Sequence, residues 1–145
     1  MRIVNRQRGS GSRIEFDELL QGAGVDAGAI QGYETEEFTH LAVAATVASG
    51  GADAGYGIRA AAAQYGLHYI PLLTERYYLA GKRTALRAGP GAELLAVLRG
   101  PDFRELLAGL PGYGDAITGR VFELDEALRG AGIANARSVR RAKPR

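Results

Sequence analysis

Short apolar runs alternate with glycine-rich turns through the first half of the chain, and their lengths switch between strand and helix. Ile3 and Val4 make a short strand. Residues 12–21 read as a helix, with Ser12 as N-cap, Glu15 three positions on as in a capping box, and Ile14, Phe16, Leu19 and Leu20 on one broad apolar face. Gly22 and Gly24 end it. Residues 29–33 form a second strand. Thr35 then caps a helix to residue 49, with Glu36 and Glu37 in the first turn where the helix dipole favours carboxylates. This helix is apolar nearly all round from Leu41 to Ala48, so it belongs in the interior. Residues 53–58 give a third strand, 59–65 an Ala-rich helix, 67–73 a fourth strand and 76–80 a fifth. Strands alternating with helices define an α/β fold, an open and mainly parallel sheet flanked by helices.

Beyond Gly89-Pro90-Gly91 the pattern turns helical, over residues 92–99 and 102–110, with Pro101 at or just before a helix start. Residues 121–128 are a strand or short helix. The expected organisation is an α/β ligand-binding lobe over residues 1–89 and a helical segment over 90–130, packing on that lobe or on a partner. Residues 131–145 complete it as a basic tail with five arginines and lysines and no aromatic residue, expected to be disordered.

Composition narrows the function classes. Among 145 residues, 46% are hydrophobic and 23% charged, as in an ordinary globular protein. With no cysteine there is neither a disulfide framework nor a thiolate metal site. A net charge of +2 is too small to point to nucleic acid, so no direct nucleic-acid binding is expected. No apolar run spans a bilayer and no signal-like stretch opens the chain, so the expectation is a cytoplasmic protein without a membrane partner.

The most informative turn runs from Arg8 to Arg13, Arg-Gly-Ser-Gly-Ser-Arg, between the first strand and the first helix. Helix N-termini carry unpaired N–H groups and a positive dipole end, and glycine, serine and arginine add access, donors and charge. The Walker pattern is absent. The dinucleotide pattern G-x-G-x-x-G fails because Ile14 stands where its third glycine would be, and G-x-S-x-G is missing. Locally, two readings stand: an anion site, and a capped turn with solvated arginines. His40 and His68 lack metal-ligand spacing, Asp53 suits a turn, and no nucleophile, base and orienting partner can be assembled. No catalytic residue, metal site or resident cofactor is therefore expected.

Residues 4–13 (VNRQRGSGSR), 32–44 (GYETEEFTHLAVA), 47–59 (VASGGADAGYGIR), 67–77 (LHYIPLLTERY) and 110–114 (LPGYG) together resemble a periplasmic-binding-protein-like domain. The type is that fused to helix-turn-helix regulators and to MoeA-type molybdopterin biosynthesis proteins. The resemblance covers residues 3–128 and implies one lobe of a type II fold plus C-terminal helices, with most of the first lobe lacking. It implies a non-enzymatic domain that binds or senses a small ligand, an oxyanion such as molybdate, in transcription regulation or molybdenum cofactor biosynthesis. The ligand contacts it implies are Arg6, Arg8, Ser10, Gly11 and Ser12 on the first turn, Tyr33 and Glu34 beside Thr39 and His40, and Tyr56 and Gly57. Glu34 counts against an anion unless Arg8 or Arg59 pairs with it. Half a cleft also implies a partner, either a second copy in a homo-oligomer or a separate first-lobe or helix-turn-helix chain. The alternative is a ligand-free oligomerisation or interaction module, or a truncated remnant of a two-lobe protein.

Overall fold

The computed structural model describes residues 1–130, so the basic tail expected over 131–145 lies outside the described residues. The described residues divide into two compact units, one of residues 1–72 and 110–113, the other of residues 73–109 and 114–130.

The first unit is built on strand β1 (Ile3–Arg6). Strand β2 (Glu36–Glu37) and strand β3 (Ala54–Gly55) flank it, both parallel to it, in the order β2-β1-β3. The register sets Asn5 opposite Glu36 and Arg6 opposite Glu37 on one side, and Ile3 opposite Ala54 and Val4 opposite Gly55 on the other. A central parallel strand is covered on both faces, and Ile3, Val4 and Asn5 are all buried. The protein is thus α/β, with a small parallel sheet flanked by helices.

Helix α1 (Gly11–Gly22) follows β1, helix α2 (His40–Ala48) follows β2 and helix α3 (Arg59–Gln64) follows β3. Each helix therefore starts at the carboxyl edge of the sheet. Val4, Val43 and Ala52 form the core with Val47 against them. Val4 is fully buried between neighbours that are themselves small. Val4→Ala is expected to cost about 1–3 kcal/mol, from lost burial and an unfilled cavity, read as a lower urea midpoint at unchanged slope.

Several elements differ from the sequence reading, some because a tertiary contact outweighs a local preference. The cap of α1 is Ser10, whose Oγ accepts from the Arg13 amide at 3.3 Å, and not Ser12. Residues 29–33 form no strand: a 3₁₀ turn (Ala27–Ala29) leads into a further turn around Gly32. The second helix is capped by Thr39, not Thr35. The carbonyls of Thr35 and Glu37 accept from the β1-side amides of Asn5 (2.8 Å) and Gln7 (3.1 Å), which draws Glu36 and Glu37 into the sheet. The third strand shrinks to Ala54–Gly55. Residues 67–82 form neither helix nor strand, so the fourth and fifth strands are not made. Their composition suits a ladder, but among the described residues no strand pairs with them.

The second unit holds helix α4 (Gly89–Arg99), helix α5 (Pro101–Ala108), with its proline at the first helical position, and helix α6 (Leu124–Gly130). The sequence left residues 121–128 between strand and helix, and the outcome is a helix. Arg99 Nε donates to the Gly119 carbonyl at 2.9 Å, Arg83 pairs with Glu123, and Tyr78 meets Phe122 edge-on at 6.0 Å.

Candidate functional site

Three strand-to-helix turns meet the carboxyl edge of the sheet, where open α/β sheets bind ligands. The first spans Gln7 to Ser10. Gly9 turns the chain at φ +83°, a left-handed value that suits glycine. Ser10 then caps α1, and the amides of Gly11 and Ser12 precede the first intrahelical hydrogen bonds, so they remain donors for an outside acceptor. Ser12 itself is buried. At the second turn Thr39 Oγ1 accepts from the Ala42 amide at 3.0 Å, and His40 is the first residue of α2. The third turn carries Tyr56 and Gly57 between β3 and α3.

A charged network lies beside the first turn. Arg13 is only 4% exposed. Its Nε donates to both carboxylate oxygens of Asp17, at 3.0 and 3.2 Å, and its Nη1 to Glu36 Oε1 at 3.2 Å and to the Arg6 carbonyl at 3.4 Å. Its guanidinium lies 4.3 Å from the centre of the Tyr33 ring, whose hydroxyl donates to Asp17 at 2.6 Å. Burial acts to lower the Arg13 pKa, but the interactions with Tyr33 and Asp17 more than offset it and the net direction is upward. The guanidinium is therefore fixed as a cation. Asn5, also buried, donates from Nδ2 to the Tyr33 carbonyl at 2.9 Å, tying this loop to the central strand.

The residues singled out from the sequence separate into groups. Arg8 pairs with Glu34 and, through Nε at 3.4 Å, with Glu36, which meets the condition that Glu34 find an arginine. Arg6 donates from Nη2 to the Phe38 carbonyl at 3.0 Å, its Nε is buried without a partner, and among the described residues no carboxylate pairs with it. Thr39 and His40 line a cleft of about 620 Å³ with Leu41, Ile58, Gln64 and Pro111. Gly57 lies beside His40: a Cβ built there would sit 3.5 Å from its Nδ1. Tyr33 and Glu34 line a separate hollow of about 330 Å³. Tyr56 stacks on Phe16 of α1 at 5.4 Å.

Sequence reasoning counted Arg13 only among the charges of the turn, placed Glu36 at a helix start and passed over Asp17, so the network they form was missed. The spacing of Arg13 and Asp17, four apart on a helix, was a usable signal; the part of Glu36 was not readable while it was placed in a helix. Among the described residues no group of three or more acidic or histidine side chains could hold a metal ion, and no helix is long and apolar enough to cross a membrane.

The parallel sheet with helix starts along one edge defines a class of α/β domain whose carboxyl edge is the usual place for a ligand. The chain belongs to the PBP superfamily domain family, which matches residues 1–99. It is 36% identical over 124 residues to the uncharacterized protein YvgK of Bacillus subtilis (strain 168), covering 83% of this chain but 39% of that protein. It is also 38% identical over 109 residues to an uncharacterized protein in the ferredoxin 2Fe-2S gene 5' region of Clostridium pasteurianum, covering 74% of this chain and 96% of that one. The chain thus spans about two-fifths of the length of the Bacillus relative. No solved structure matches it.

Proposed function

We propose that this chain is a non-enzymatic lobe that binds a small oxyanion, such as molybdate, at the β1–α1 turn. Its resemblance to domains fused to helix-turn-helix regulators and MoeA-type proteins supports a place in transcription regulation or molybdenum cofactor supply. The observation that carries the reading is Arg6. Arg8 and Arg13 are matched by Asp17, Glu34 and Glu36, whereas Arg6 meets no carboxylate among the described residues. It ends the central strand, where the turn to α1 begins. An oxyanion there would accept from the amides of Gly11 and Ser12 and from the Ser10 hydroxyl, with Arg6 supplying charge. None of these groups is a nucleophile with a base beside it, so binding rather than turnover is the natural task.

Calorimetric titration with molybdate, and with sulfate as the competing oxyanion, tests this. Saturable binding of molybdate is expected, weakened about tenfold or more by Arg6→Gln. Ser10→Ala should weaken it too and, by removing the cap of α1, lower stability by about 1 kcal/mol. A folded protein that gives no heat with either ion would sink the reading.

Residues 67–82 favour a second reading, an interaction module. Ile70, Leu72 and Leu79 are 79%, 60% and 76% exposed, in a segment of strand composition without a ladder. Pairing across two copies would give these residues partners and make the protein a homo-oligomer. Light scattering of the wild type and of an Ile70→Lys/Leu79→Lys variant would decide it: a monomeric wild type rules it out.

A further inference from the structure

Arg8 differs from the other two arginines of the site. Arg13 is buried and held on all sides, and Arg6 is anchored to a backbone carbonyl. The Arg8 side chain is 68% exposed, and so is its principal partner, Glu34, at 69%. Glu36 approaches the same guanidinium at 3.4 Å and also faces the Arg8 amide at 3.4 Å, but Glu36 is committed to Arg13 as well. Exposed ion pairs are worth little, because water and salt screen them and two long side chains must be ordered to form them. The Arg8–Glu34 pair is therefore exchangeable, while the network beneath it is not.

From this we infer that Glu34 is an internal competitor for Arg8: a carboxylate that occupies the guanidinium when the site is empty and is displaced when an oxyanion arrives. The inference rests on the oxyanion reading of the β1–α1 turn. Arg8 stands two residues before the cap Ser10, so its guanidinium has the reach to leave Glu34 for a tetrahedral anion at the start of α1. A carboxylate and an oxyanion ask the same of a guanidinium, a planar fork of N–H donors. Binding then trades one Arg8 partner for another, which sets affinity below what an unopposed Arg8 would give. Glu34 thus tunes affinity and selectivity without touching the ligand.

The test is titration of the full chain with molybdate for wild type, Glu34→Gln, Arg8→Ala and the double variant, with Glu18→Gln, at an exposed position of α1, as a control for net charge. Glu34→Gln is expected to bind about two- to fivefold more tightly, the span an exposed ion pair allows. Glu18→Gln should gain less, and the double variant should bind no better than Arg8→Ala. Tighter binding in Glu34→Gln should also fall off more steeply with added salt than in the wild type, since a freed charge is screened. Equal affinity in wild type and Glu34→Gln would overturn the inference while leaving the site intact. A gain that survives in the double variant, or that Glu18→Gln matches, would overturn it too. Absence of molybdate binding in wild type and Glu34→Gln alike would overturn the site itself.

Discussion

Gly32→Ala is expected to destabilise the first unit strongly. Gly32 sits at φ +84°, and a Cβ built on it would lie 2.2 Å from the carbonyl oxygen of Ile3. Backbone cannot retreat as a side-chain tip can, and that backbone belongs to the central strand. The amide of Ile3 donates to the Gln31 carbonyl at 2.9 Å, so the loop is hydrogen-bonded to the strand it would have to leave. A left-handed φ and a backbone collision together are expected to cost about 3 kcal/mol or more, against a total stability for ordinary domains of roughly 5–15 kcal/mol. The measurement is urea unfolding followed by circular dichroism, with hydrogen exchange at Ile3 and Asn5 as a local probe. Gly22→Ala is the control. A Cβ at Gly22 meets nothing within 4 Å, and the residue lies in α1, so that change should be neutral or stabilise by about 0.5–1 kcal/mol. A Gly32→Ala protein as stable as the wild type would mean that the loop does not hold its close approach to β1 in solution.

Arg13→Ala carries the second large effect. Its removal leaves Asp17 and Glu36 facing each other and takes the cation from the Tyr33 ring. Removing one member of a fully buried ion pair costs about 3–5 kcal/mol. Here the carboxylates are 43% and 28% exposed, so water recovers part of the loss and about 2–3 kcal/mol is expected. Arg13→Lys should not restore it, because an ammonium cannot reach Asp17, Glu36 and the Arg6 carbonyl together. Denaturant midpoints of the two variants decide this, and full recovery with lysine would show that the charge alone matters.

Much of the first unit was legible because local pattern and tertiary contact agree there. Apolar Ile3 and Val4 before a helix that ends at glycines could be read at a glance, although its cap was placed at Ser12 and not at Ser10. The Ala-rich helix after Ile58 and the proline-started α5 were equally plain. Failures cluster where a contact distant in sequence decides. Thr35 and Thr39 are both fair caps, and only the ladder to β1 selects Thr39. Residues 29–33 have strand-like composition but must pass close over Ile3, which needs the turn at Gly32. Residues 67–73 and 76–80 have the right side chains for strands, yet a strand is a property of a pair. At the site, the turn and its glycines and serines announced themselves locally. Which arginine is buried, which is anchored and which is exposed depended on Asp17, Glu34 and Glu36 arriving beside them.

The division of the chain has a consequence for biosynthesis. Leu110–Tyr113 belong to the first unit, although the sequence between them and Leu72 belongs to the second. Leu110 and Pro111 line the cleft with His40, and Gly112 packs on the side chain of Arg59. A domain emerging from the ribosome ordinarily begins folding once its last residue is out. Here the N-terminal unit has its sheet early but waits for a four-residue clasp made some forty residues later. A nascent chain stalled before Leu110 would hold the β1–α1 turn complete and the cleft beside His40 open on one side.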